Sequence, residues 1–283
     1  MIVDAHQHFW DPARGDYGWL KPGNPIHRVF GTSELRPLLV QTGVDATILV
    51  QAAPTAAESD YMLGIARKTP WVLGVVGWID LESADAVDEV RRRATDPLFL
   101  GVRPMLQDLP DPGWILQRKL DPALNAIAAE GLVFDALILT HQLAAIAELA
   151  TRHPQLSIVL DHAAKPQLGD AEAMVTWARG IEALAVLPNV SCKISGLLTE
   201  LQPGGSTDDV ARAVGVLFDT FGANRLLWGS DWPVLTLSNG FAGAGDYQGW
   251  FELVRTAVAA KDSSAVRAVM GENALRLYRP RRR

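Results

Sequence analysis

Short apolar runs rich in Val, Ile and Leu alternate along the whole chain with longer segments whose apolar positions recur every three or four residues. The first pattern marks buried strands and the second amphipathic helices. Strands are predicted over residues 4–10, 46–51, 72–80, 99–104, 132–135, 157–162, 189–195 and 225–231. Helices are predicted over 32–42, 56–68, 83–94, 114–130, 143–153, 171–187, 207–221, 246–260 and 263–278. The fourth of these is expected to be interrupted near Pro122 and ended by Gly131. Residues 11–31 read as a polar, aromatic loop, and a loop of this length in a compact domain is more often functional than idle.

Eight strands separated by helices within 283 residues meet the requirement of a single (β/α)8 TIM barrel, an α/β fold of about 250 residues. A doubly wound open sheet is the alternative, weakened because no glycine-rich dinucleotide fingerprint follows the first strand. No linker or low-complexity stretch divides the chain, so residues 1–283 are expected to form one domain.

Composition narrows the class of partner. A net charge of −6 argues against nucleic acid, and the basic tail Arg279-Pro280-Arg281-Arg282-Arg283 reads as a solvated terminus. No stretch approaches the ~20 apolar residues of a membrane span, and Met1 leads directly into a strand rather than a leader. A lone Cys192 excludes an intrachain disulfide framework and fits a reducing cytoplasm. The expectation is a cytoplasmic protein acting on a small molecule, and the sequence assigns no oligomeric state.

Candidate chemistry gathers at the C-terminal ends of the strands, where barrel active sites lie. In Asp4-Ala5-His6-Gln7-His8-Phe9-Trp10, period two puts Asp4, His6, His8 and Trp10 on one face and Val3, Ala5, Gln7 and Phe9 on the other. Two imidazoles two residues apart suit a shared metal ion or a shared substrate oxygen. Gln51, Arg103, Asp135, His162, Lys193 and Asp231 fall late in later strands. Trp10, Trp19, Trp78 and Trp232 are candidates to present flat faces to a ring, and His27 and Tyr17 on the long loop are candidate substrate contacts. His141 and His153 flank a helix and read as surface residues.

The run at 4–10, Gly-Val-Arg-Pro at 101–104, Leu-Asp-His-Ala-Ala-Lys-Pro at 160–166, Cys-Lys-Ile-Ser-Gly at 192–196 and Trp-Gly-Ser-Asp-Trp-Pro at 228–233 occur in this order across the chain. Together they resemble the amidohydrolase superfamily, in particular its amidohydrolase-related branch of sugar lactonases. The resemblance implies a hydrolase that opens a small lactone, with a sugar aldonolactone as the first expectation and a carboxylated lactone as the second. A sugar-lactone isomerase, a metal-dependent decarboxylase and a silent sugar-acid-binding barrel are the remaining alternatives. Many superfamily members hold two metals through a strand-four lysine and histidines of strands five and six. Here those positions offer Arg103, Asp135 and His162, which points away from a dinuclear centre.

The remaining set, His6, His8, His162 and Asp231, suits one Zn²⁺ or a metal-free site. The resemblance implies Asp231 as general base toward water and then acid toward the leaving alkoxide. His6, His8 and His162 would polarise the carbonyl, directly or through a metal. Arg103, as a planar fork, and Lys193, as a point charge, are expected to bind substrate, with Gln51, Trp10, Trp19, His27 and Trp232 around them.

Overall fold

A computed structural model describes residues 1–238 and 246–279. Among these, eight parallel strands follow one another around a single sheet: β1 (Val3–Gln7), β2 (Ala46–Val50), β3 (Val72–Gly77), β4 (Phe99–Val102), β5 (Val133–Ala136), β6 (Ile158–Leu160), β7 (Val190–Ile194) and β8 (Leu226–Trp228). The seam closes where Asp231 N donates to His6 O at 2.7 Å and His8 N donates to Trp232 O at 2.8 Å. Helices α1 (Thr32–Thr42), α2 (Ala56–Lys68), α3 (Ala86–Ala94), α4 (Asp121–Ala129), α5 (Leu143–Arg152), α6 (Ala171–Ala185), α7 (Thr207–Phe221) and α8 (Tyr247–Lys261) lie between or after the strands, and α9 (Asn273–Tyr278) ends the described chain. This is the expected (β/α)8 barrel.

Two apolar layers hold it together. Inside the barrel, Val3, Ala5, Ile48, Val50, Val76, Leu100, Val133, Val159 and Leu227 pack with Ala274 and Tyr278 of α9. A larger core joins the outer faces of the strands to the helices. Each fully buried aliphatic side chain contributes about 1.5–3 kcal/mol, so both layers fix the strand ends that carry the polar groups.

The regular strands are shorter than predicted. The runs expected to reach Trp10, Asp80, His162 and Asp231 leave the ladder at Gln7, Gly77, Leu160 and Trp228. Their polar ends belong to irregular connections, where side-chain alternation no longer holds. Pro122 lies in the first turn of α4, where its missing N–H costs nothing, so it starts that helix rather than interrupting one. The segment expected to be one helix over 263–278 is broken near Gly271, where an added Cβ would lie 2.3 Å from Met1 O. His153 is buried rather than superficial, with Nε2 3.1 Å from Asp121 Oδ1 and Nδ1 3.0 Å from Asn125 Oδ1. Residues 280–283 of the basic tail lie outside the described residues.

Candidate active site

The first strand does not keep its predicted faces. Its register against β2 shifts between Asp4 and Gln7, and such a bulge places successive side chains on the same side. Ala5 packs inside the barrel and His6 points inward just above it, followed by His8. Asp4, expected on the histidine face, instead accepts from Ser230 N at 2.8 Å and Tyr247 Oη at 2.9 Å. There it ties β1 to the β8–α8 region and takes no part in the site.

Beneath His6 lies a buried ionic layer. Lys193 Nζ is 2.5 Å from Asp135 Oδ2, 3.0 Å from Asp161 Oδ1 and 3.3 Å from His6 Nδ1. Arg103 Nη1 is 3.1 Å from Asp161 Oδ2, and its Nη2 donates to Gln51 Oε1 at 3.0 Å and also to Gln51 O. Tyr278 Oη donates to both Asp135 oxygens at 2.7 and 2.9 Å. Burial works to raise Asp161, but Lys193, His6 and Arg103 outweigh it and hold the carboxyl well below the usual range. For Asp135, burial, aided by the charge of Asp161, outweighs Lys193 and pushes the carboxyl up to about 6.

The third histidine arrives by a backbone device. After β6 the chain turns through His162, Ala163, Ala164 and Lys165, all with φ between 50° and 59°, a region that costs L-residues roughly 1–2 kcal/mol each. Period two would have sent Asp161 and His162 to opposite faces. The left-handed turn delivers both inward, Asp161 to the ionic layer and His162 to within 3.9 Å of Asp231 Oδ1. Asp231 also has a left-handed φ of 57°. Two glycines make room: an added Cβ at Gly229 would lie 2.7 Å from His6 Cβ, and one at Gly196 would lie 2.6 Å from His162 Nδ1.

The four groups share one focus. His6 Nε2 and His8 Nε2 are 3.2 Å apart, and Asp231 Oδ1 is 3.2 Å from the second and 3.6 Å from the first. His8 Nδ1 lies 2.8 Å from Val50 O. A carbonyl only accepts, so Nδ1 carries the proton and Nε2 presents its lone pair to the focus. Burial pushes His162 down to about 4 and holds His6 well below its ordinary value. Both rings are therefore neutral at pH 7. For Asp231, burial is outweighed by the surrounding histidines, His162 first, so its carboxylate is held below the usual range and stays ionised.

Two imidazole nitrogens and a carboxylate oxygen converging within 3.6 Å form a donor set that suits a cation. Tetrahedral coordination with N and O ligands at about 2.0–2.2 Å needs donors about 3.3–3.5 Å apart, and the three distances of 3.2, 3.2 and 3.6 Å lie close to either side of that range. A second group, His6, Asp161 and His162, also clusters. Lys193 and Arg103 already neutralise Asp161, so an added cation would meet two like charges there. The residues fit one metal ion at His6, His8 and Asp231, with His162 beside it, and disfavour a pair.

Above the focus is a cavity of about 170 Å³ lined by His8, Arg103, His162, Lys165 and Asp231, among others. Trp19 lines it too, with its indole N–H donated to Ala52 O at 2.7 Å. Lys193 does not reach it: the side chain is fully buried and spent on two carboxylates, so it acts under His6 rather than on substrate. Arg103 reaches the cavity, but its terminal nitrogens are engaged by Asp161 and Gln51, so it is no open fork for a carboxylate. Gln51 buttresses Arg103.

Trp10, Trp232 and His27 are absent from the lining. Trp10 donates to Ile26 O and Arg28 O, and Trp232 packs edge-on to Phe9 and Phe30. Asp161 and Lys165 are the additions that reading the strands missed. Both stand in the run at 160–166, but only the left-handed turn makes them neighbours of the site.

A model of the amidohydrolase family matches residues 3–279. The chain belongs to that family. It is 43% identical over 278 residues to an L-fucono-1,5-lactonase of Burkholderia ambifaria, covering 98% of this chain and 95% of that protein. It is 32% identical to an L-fucono-1,5-lactonase of Burkholderia multivorans, covering 98% and 96%. Among solved structures, a Burkholderia multivorans amidohydrolase at 31% identity superposes with a TM-score of 0.91 over 99% of this chain and 100% of that one, in a form with bound zinc and in another with bound HEPES. Among the described residues, no helix is long and apolar enough to cross a membrane.

Proposed function

We propose that the protein hydrolyses a sugar aldonolactone, with Asp231 activating the attacking water. The observation that carries this reading is the convergence of an ionised Asp231 oxygen with His6 Nε2 and His8 Nε2 at 3.2–3.6 Å beside a small cavity. The 43% identity to a sugar lactonase over nearly the whole chain supports the substrate class. Asp231 turns Oδ1 toward the histidines, which leaves Oδ2 to accept the proton of the water and return it to the ring oxygen as the acyl bond breaks. A divalent cation held by His6, His8 and Asp231, zinc in this reading, would supply Lewis-acid polarisation of the lactone carbonyl. Lys165 is the cation of the cavity with the loosest engagement, its Nζ 3.9 Å from Glu200 Oε1, and it is our choice to bind the hydroxyls or the developing product anion.

A pH-indicator screen of aldonolactones tests the reading. Acid release is expected from a subset of them, abolished by dialysis against a chelator and restored by Zn²⁺. No acid release from any lactone would overturn it, and release of carbon dioxide or an isomerised lactone would replace it. Lys165→Met is expected to raise KM about tenfold with kcat changed only a few-fold. An unchanged KM would remove Lys165 from substrate binding.

A further inference from the structure

The cavity over the catalytic focus is not the larger one on this face of the barrel. Its roughly 170 Å³ falls below the range of about 300–1,000 Å³ typical of small-molecule sites. It has room for one compact ring, and anything attached to that ring must project past Trp19. Adjoining it is a second cavity of about 500 Å³, which shares Trp19, Met105 and Asp108 with the first. The two are therefore compartments of one cleft. The outer walls come from the connections after β1, β2, β3 and β4, all on the catalytic end of the barrel. This is where the long loop at 11–31 puts its Trp19, whose N–H is already satisfied by Ala52 O and whose ring remains 38% exposed.

The chemistry of the outer compartment is specific. Trp19, Trp78 and Trp114 supply three indole side chains, while Asp16, Asp80, Glu82 and Asp108 supply carboxylates; among the described residues, no Lys, Arg or His lines it. Carboxylates only accept hydrogen bonds, so they suit a ligand bearing donors. Glu82 is paired with Lys119 at 2.6 Å and Asp16 with Arg14 at 2.9 Å, so part of the wall's charge is compensated and it suits an uncharged donor. Flat aromatic faces suit a ring with one apolar side. Hydroxyl donors, no charge and an apolar ring face together describe a sugar ring.

We propose that the outer cavity is a subsite for a neutral glycosyl substituent, so that the enzyme accepts lactones of glycosylated sugar acids, with the lactone ring in the inner cavity and the second ring between Trp78 and Trp114. This rests on the lactonase reading of the inner cavity and extends it. Asp80 and Asp108 on its wall also disfavour any lactone whose substituent is itself a carboxylate.

The test compares a simple aldonolactone with the lactones of a disaccharide acid and of an aryl-substituted sugar acid, on the wild type and on Trp78→Ala and Trp114→Ala. In the wild type the glycosylated lactone is expected to be hydrolysed at least as efficiently as the simple one. Each variant is expected to lower its kcat/KM about tenfold, through KM, and to leave the simple lactone within about twofold. An equal fall for both substrates, a gain confined to the aryl compound, or no hydrolysis of the glycosylated lactone beside active simple lactones would overturn the subsite. Quenching of tryptophan fluorescence by lactitol, a neutral and unreactive disaccharide alditol, reads the subsite without any turnover. Saturable quenching weakened in both variants supports it, and its absence counts against it. Should no lactone turn over while lactitol binds, the lactonase reading fails and the glycosyl subsite stands.

Discussion

Asp231→Asn is expected to lower kcat by a factor on the order of 10² or more while leaving the barrel folded. Asparagine is nearly isosteric and tolerates the left-handed backbone that Asp231 adopts at φ 57°, so the amide hydrogen bond to His6 O that closes the barrel seam is retained. What is lost is the ionised acceptor. Burial favours a neutral group here, and the three histidines overcome it to keep the carboxylate charged; an amide has no proton-accepting state to keep. Turnover is to be measured with saturating Zn²⁺, so that weakened metal binding does not account for the loss, and thermal melting is to be followed in parallel. Wild-type turnover in a well-folded variant would remove Asp231 as the base.

Lys193→Met is expected to cost stability rather than only activity. The methionine fills most of the volume but leaves Asp135 and Asp161 buried and facing one another with no ammonium between them. Removing one partner of a buried ionic group costs about 3–5 kcal/mol, and at about 2–4 °C per kcal/mol for a chain of this size Tm should fall by about 6–20 °C. The sign of the pH dependence follows from the same arrangement. Without Lys193 the carboxyl pKa values in the folded protein rise further, beyond the value of about 6 that burial gives Asp135. Folded groups with raised pKa values favour the protonated chain, so stability falls as pH rises through them. The loss of Tm should therefore be larger near about pH 8 than near about pH 5. Asp135→Asn combined with Lys193→Met should cost less than the sum of the two single changes, because the second removes the charge that the first exposes. Additive losses would mean that the ionic layer is not one unit.

Reading the strands located this layer only in part. Lys193, Asp135 and Arg103 are visible as polar residues late in apolar runs, which is why they are candidates at all. Their roles are not visible there. Whether a late-strand lysine meets substrate or a buried carboxylate depends on the depth at which each neighbouring strand ends, and depth is set by register across eight strands. Arg103 shows the same limit, since its engagement by Asp161 and Gln51 joins residues 58 and 52 positions away.

The chain order of apolar runs determined the barrel, because a buried parallel strand needs near-continuous apolar residues and each crossover needs an amphipathic helix. The motifs determined the family and four of the groups at the focus: His6, His8, His162 and Asp231. Only the tertiary structure decided which face each residue took wherever the backbone left period two. The bulge in β1 turned Asp4 away from His6, and the left-handed turn at 162–165 brought Asp161, His162 and Lys165 inward together. Both devices depend on backbone dihedrals that neighbouring elements impose: strand pairing in the first case, and in the second the packing of Trp177, whose indole holds Ala163 O at 2.7 Å. Local propensity favours neither conformation, and so no local pattern announces them.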